Sequence, residues 1–193
     1  MSTYIPLGKV PGSPEERKEL IGQRIRMEDR LAGLELTQVQ RRVIDFLVSQ
    51  RGYAYGEIEA DREFRVDLPE KSFTVKADIV LKIGGVRFFI VKCVMNSMES
   101  WERHSIAFCR VADSCQIPYA IVTDSENARL VDAAKGKVIS EGLEAIPSRQ
   151  EAGELAKGFV PCPYPAERCE KEKRILHAFD AIKCADDLSG PKE

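Results

Sequence analysis

Two charges stand inside strand-like stretches that are otherwise apolar: Asp78 in FTVKADIVLKI (73–83) and Lys92 in VRFFIVKCV (86–94). Burying a charge is costly unless a partner or a ligand compensates it, so the two positions ask for a chemical reason. An aspartate on one strand and a lysine near the end of its hairpin partner are ingredients of a metal-dependent nuclease core. Phosphodiester hydrolysis requires charge stabilisation and a water made nucleophilic near neutral pH, which a cation held by a carboxylate can supply. Asp78 and Lys92 are therefore the first candidate catalytic residues, and Asp78 the candidate metal ligand. Hard oxygen ligands suit Mg²⁺, which takes one or two carboxylates and keeps several waters. The second carboxylate has to be sought elsewhere, and Glu59, Glu63, Glu99 and Glu102 are the candidates.

The elements that must position these groups follow from periodicity. Ala77, Ile79, Leu81 and Ile83 alternate with Lys76, Asp78 and Lys82, which predicts a strand with one apolar face. Gly84-Gly85 supplies the positive φ values of a tight hairpin turn. Val86 to Val94 is nearly all apolar, as in a strand covered on both sides. A plain two-residue turn pairs Ile83 with Val86, hence Asp78 with Val91, and leaves Lys92 on the opposite face. Only a longer turn or a β-bulge brings Lys92 beside Asp78. If the two share a face, a salt bridge between them fills the metal position.

Upstream, Ser13, Pro14 and Glu16 start a helix running towards Leu31 and Gly33. Thr37 and Gln40 form a second capping box, and Leu36, Val39, Val43, Phe46 and Leu47 make the stripe of the helix they open. Ile58, Ala60, Phe64 and Val66 alternate with Glu57, Glu59, Asp61, Glu63 and Asp67, a strand with an acidic outer row. Downstream, Asn96 and Glu99 mark the start of a helix whose core face carries Met98, Trp101, Ser105, Phe108, Val111 and Cys115. His104 reads as a surface or half-buried residue. Ile117–Val122 is a short strand, and 128–133 with 137–139 a further hairpin. After a helical patch at 152–157 and the proline-rich PCPYP (161–165) comes a long helix, Ala166 to Cys184. Glu167 with Lys171 and Glu170 with Arg174 are its i,i+4 pairs, and Ile175, Leu176, Phe179 and Ile182 the stripe that docks on the core.

Composition narrows the class. With 193 residues, 44% of them hydrophobic, the chain can bury a proper core, and its net charge of −2 gives no overall basic field for nucleic acid. No apolar run approaches a membrane span and MSTYIPLGKV lacks a signal-peptide core, so no membrane partner and a cytoplasmic location are expected. Six cysteines at 93, 109, 115, 162, 169 and 184 contain no CxxC pair. They read as buried thiols, or alternatively as a metal or iron–sulfur site built from Cys162, Cys169 and Cys184, with structural disulfides disfavoured by a reducing compartment.

The order helix, three strands, helix, strand resembles the PD-(D/E)XK nuclease core. More narrowly, VKADIVL (75–81), RFFIVKC (87–93) and IPYAIVTDSENARLVDAAKGKVI (117–139) resemble the N-terminal domain of the R subunit of type I restriction enzymes. The resemblance implies an α/β fold, an αβββαβ core with a mixed sheet flanked by helices, over residues 36–147. An irregular segment and helix (1–35) precede it, and a proline-rich connector and helix (148–193) pack on it. It also implies DNA and other restriction-modification subunits as partners. In that family an Asp and the Glu of an E-x-K element hold a divalent metal and the Lys orients or activates water; the Asp corresponds to Asp78, but the E-x-K element is broken here. If Lys92 is the family's Lys, Ile90 replaces the Glu; if IVKC lies on the family's IVEC, Lys92 replaces the Glu and Val94 the Lys. The expected function is thus a degenerate nuclease domain acting as a DNA-associated or assembly module. No cofactor is expected, or Mg²⁺ if the site is active. An active endonuclease with a relocated carboxylate and a cysteine-ligated metal protein are the alternatives. No phosphate-binding G-x-x-x-x-G-K-[ST] loop is present, so ATP-driven translocation is not expected of this chain.

Overall fold

A computed structural model describes residues 12–19, 21–22, 25, 34, 36–95 and 97–188, the last nine without side chains. Its centre is a six-stranded mixed sheet in the order β1-β2-β3-β4-β5-β6, formed by Ile58–Asp67, Ser72–Ile83, Val86–Cys93, Tyr119–Thr123, Ala128–Asp132 and Lys137–Glu141. Only β3 and β4 run parallel, joined by a helix crossover; every other neighbouring pair is antiparallel. Helices α1 (Gln38–Ser49), α2 (Glu99–Val111), α3 (Arg149–Ala156) and α4 (Ala166–Leu188) flank the sheet.

Two apolar cores lie on its two sides. Val43, Ile44 and Leu47 of α1 and Ala152 of α3 pack with Ile79, Leu81, Phe89 and Val91 on one side. Ile106, Phe108 and Cys109 of α2 and Leu176 of α4 pack with Val80, Ile90 and Ala120 on the other. Burial of a large aliphatic or aromatic side chain contributes about 1.5–3 kcal/mol, so β2 and β3, apolar on both faces, are the best-anchored strands.

Local signals set several boundaries. Thr37 accepts from the Gln40 amide and Gln40 accepts from the Thr37 amide, the reciprocal cap that starts α1. Ser148 and Glu151 form an equivalent box at α3. Ser13 accepts from the Glu16 amide, and residues 14–19 are helical; the rest of the first helix expected from the sequence lies mostly outside the described residues. Gly84 and Gly85, at φ of 59° and 83°, make the β2–β3 turn.

Three expectations are corrected. Residues of one parity in β1 and β2 do not keep to one face: Ile58, Ala60, Ile79 and Leu81 belong to the α1 side, whereas Phe64, Val66, Val75 and Ala77 belong to the α2 side. The switch falls at Asp61, whose left-handed backbone (φ 54°) interrupts the alternation. Helix α2 begins at Glu99 with Met98 as its cap; Asn96 lies outside the described residues. His104 is buried rather than half-exposed, because the rings of Trp101, Phe108 and Phe179 surround it.

Helix α4 lies against α2. Leu176 is fully buried and Ile175 and Phe179 half-buried, while the side chain of Ile182 is outside the described set. Arg174 pairs with Glu170 as expected.

Candidate functional site

Asp78 and Lys92 meet because β2 and β3 change register. From the turn the ladder runs Ile83↔Val86 and Lys82↔Arg87, then shifts to Leu81↔Phe89, Val80↔Ile90 and Ile79↔Val91. Phe88 is the extra residue of this bulge, and it joins Phe89 in the core on the α1 side. One step past the last pair, Asp78 and Lys92 stand side by side. Lys92 Nζ lies 2.9 Å from Asp78 Oδ2, and both side chains are about nine-tenths buried. The Cys93 amide donates to the same oxygen at 2.8 Å. Over the ammonium, at 4.9 Å, lies the ring of Trp101 from the first turn of α2. The lysine is thus compensated on two sides, by a carboxylate and by a π face.

Of the other candidate carboxylates, Glu59, Glu99 and Glu102 are engaged elsewhere and Glu63 faces solvent. Glu59 sits between Lys82 and Arg87, each at 3.2 Å, and Arg87 also holds Asp113. Glu63 is exposed and opposes Lys76 in the ladder. Glu99 and Glu102 both pair with Arg129 of β5. Burial pushes the Glu59 carboxyl up, but hydrogen bonds from Lys82 and Arg87 outweigh it and hold the group below its ordinary value of 4.5. A carboxyl depressed in the folded state stabilises the fold above its unfolded pKa, and that contribution fades as pH falls from there through the folded value. Urea unfolding of wild type and Glu59→Gln should therefore differ at pH 7, with the difference beginning to shrink only as pH falls below about 4.5 and closing under the folded value; a difference independent of pH would contradict this assignment.

A second polar group escaped the sequence reading. Register continuity places Asp61 opposite Asp78, between the pairs Ala60↔Ile79 and Arg62↔Ala77. Its carboxylate accepts from Gln40 of α1 at 3.1 Å and pairs with Lys76 at 2.8 Å. The hydrogen bond to Asp61 is the largest influence raising the Lys76 pKa, with Asp78 adding a smaller one. Both Asp61 oxygens are thereby committed, so it is not poised as a free ligand beside Asp78. The available signals were the buried Gln40, read only as a cap, and Lys76, two residues before Asp78.

Among the described residues, no group of three or more His, Cys, Asp or Glu side chains lies close enough to hold a metal ion. Cys109 is buried, Cys93, Cys115 and Cys169 are half-buried, and Cys162 is exposed. Cys184 has no described side chain. No helix of the described residues is long and apolar enough to cross a membrane.

The sequence profile of the type I restriction enzyme R protein N terminus matches residues 37–147 of the 193. That span starts at the α1 cap and closes just after β6, so it contains the whole sheet and both members of the buried pair. Neither the curated proteins nor the solved structures hold a match.

Proposed function

The chain belongs to the family of type I restriction enzyme R protein N termini, and from that premise we propose that it is a PD-(D/E)XK-like domain whose metal position is filled from within. It acts as a DNA-associated or assembly module alongside other restriction-modification subunits and does not itself cut DNA. The observation that carries this reading is the 2.9 Å contact between Lys92 and Asp78. Two residues that share a metal must have adjacent side chains, and of the two neighbours of Asp78 in the sheet, Asp61 on β1 is held by Gln40 and Lys76 while Lys92 on β3 touches the carboxylate. That favours laying IVKC on the family's IVEC, with Lys92 in the place of the Glu and buried Val94 in the place of the Lys. An ammonium there supplies one of the two positive charges a divalent ion would bring, and it repels the ion itself. At about 4 Å and an effective dielectric near 20, that repulsion is roughly 4 kcal/mol per unit charge, and about twice as large for a divalent ion.

The test is plasmid nicking by purified protein with Mg²⁺ and with Mn²⁺, beside Asp78→Ala. No cleavage above background is expected from either. Cleavage by the wild type that disappears in Asp78→Ala would sink the proposal and return the relocated-carboxylate reading.

A further inference from the structure

We propose that a basic cleft at the far end of α2 from Lys92 binds a ligand carrying two or more phosphate groups. The cleft, of ≈640 Å³, opens where the end of α2, the β5–β6 turn, the proline-rich connector and the first turns of α4 converge. Its size falls within the range of small-ligand pockets, about 300–1,000 Å³. Trp101, the cover of Lys92, and Arg110, the wall of the cleft, are nine residues apart on one helix. At about 1.5 Å per residue that separates the two places by roughly 13 Å along its axis.

The lining carries the cations Arg110, Lys135, Arg168 and Lys171 against one carboxylate, Glu172. That local excess is opposite in sign to the chain's net charge of −2. The carboxylate offsets Arg110 at 2.9 Å and takes its second partner, Arg103 at 2.7 Å, from outside the cleft, so it leaves Lys135, Arg168 and Lys171 without a claim from it. Arg110 is itself a fixed wall: it donates to the carbonyls of Ala133 and Ala134 and lies 5.3 Å from the Tyr164 ring centroid. Lys135 pairs with Asp132.

Arg168 and Lys171 differ. Both are exposed, and among the described residues neither has an ion-pair partner. The Glu167–Lys171 pair that i,i+4 spacing predicts is not formed. Positions 168, 171 and 172 share one helix face, and the buried Glu172 fixes that face towards the cleft. The result is a fixed Arg110–Glu172 wall with two uncommitted cations, Arg168 and Lys171, beside the Lys135 turn. Arginine's fork and lysine's point charge both suit phosphate oxygens. A single carboxylate would use only part of the charge and the space.

The same chemistry is offered by a free di- or triphosphate and by successive phosphates of a nucleic-acid backbone, so the test has both arms. Binding of inorganic pyrophosphate and of a fluorescent 12-base-pair duplex is measured by calorimetry and anisotropy. The proteins are wild type, the Arg168→Ala/Lys171→Ala double variant, and an Arg41→Ala/Arg42→Ala control that removes equal charge from exposed positions of α1. At least tenfold weaker binding of either probe to the cleft variant alone supports the proposal. Loss with pyrophosphate assigns a small phosphate compound, and loss with the duplex only assigns backbone phosphates. Binding of neither probe, or equal losses in cleft variant and control, overturns it.

Discussion

Replacing Lys92 by Glu is expected to make the fold depend on a divalent cation. In the wild type the ammonium lies 2.9 Å from Asp78 in a nine-tenths buried setting. Removing one partner of a buried pair costs about 3–5 kcal/mol, because the other charge stays behind uncompensated. A carboxylate in its place adds a like-charge repulsion of roughly 4 kcal/mol at about 4 Å and an effective dielectric of 20. Together these approach the whole stability of a domain, typically about 5–15 kcal/mol. A carboxylate can relieve the repulsion by taking up a proton, so the observed loss should lie below the sum and should shrink at acidic pH. Mn²⁺ bound between the two carboxylates would restore stability, by about 2.7 kcal/mol at a hundred times its dissociation constant. Thermal unfolding of wild type, Lys92→Glu and Lys92→Gln with and without Mn²⁺ is the measurement. Both variants should melt lower than the wild type without metal, and only Lys92→Glu should recover strongly with it. Equal stabilisation of the wild type by Mn²⁺ would mean that Lys92 does not fill the metal position.

The geometry behind this expectation shows where the sequence was legible. Gly84-Gly85 announces its turn, and the Thr37–Gln40 box announces α1, since each is a local signal with a local cause. The strands are legible because β2 and β3 carry long apolar runs. The bulge is not. Its extra residue, Phe88, is as apolar as its neighbours, and nothing in the string RFFIVKC says which phenylalanine goes unpaired. Only packing of both Phe88 and Phe89 on the α1 side decides it. That one slip moves Lys92 from the far face to the side of Asp78. The left-handed Asp61 is hidden for a different reason: within a row of acids it looks like solvated surface, and its constraint comes from Gln40, twenty-one positions away. Likewise His104 is buried partly by Phe179 of α4, a contact that no window along α2 contains. The family profile ends at residue 147, so α4 and its contacts lie outside the part of the chain that the resemblance describes.

The helix beyond that limit should nonetheless prove an integral part of the fold, and Glu172 is the place to ask. It is buried, with its two oxygens on Arg103 and Arg110 of α2. Arg110 is itself largely covered, and Arg103 Nη1 is buried without a hydrogen-bond partner. Glu172→Ala would leave two cations facing an apolar helix interface, with Leu176 one turn further on. Breaking a buried ionic group in this way costs about 3–5 kcal/mol, whereas an exposed pair of the Arg174–Glu170 kind is worth about 0–1 kcal/mol. Arg103 is partly exposed, which pulls the expectation to the lower end, about 3 kcal/mol. Urea unfolding of Glu172→Ala beside Glu170→Ala reads the contrast directly. A joint replacement, Glu172→Met with Arg110→Met, should recover much of the loss, because it removes charge from both sides of the interface at similar volume. If Glu172→Ala costs no more than Glu170→Ala, α4 is only resting on the domain, and the cleft whose wall it forms would not be pre-set either.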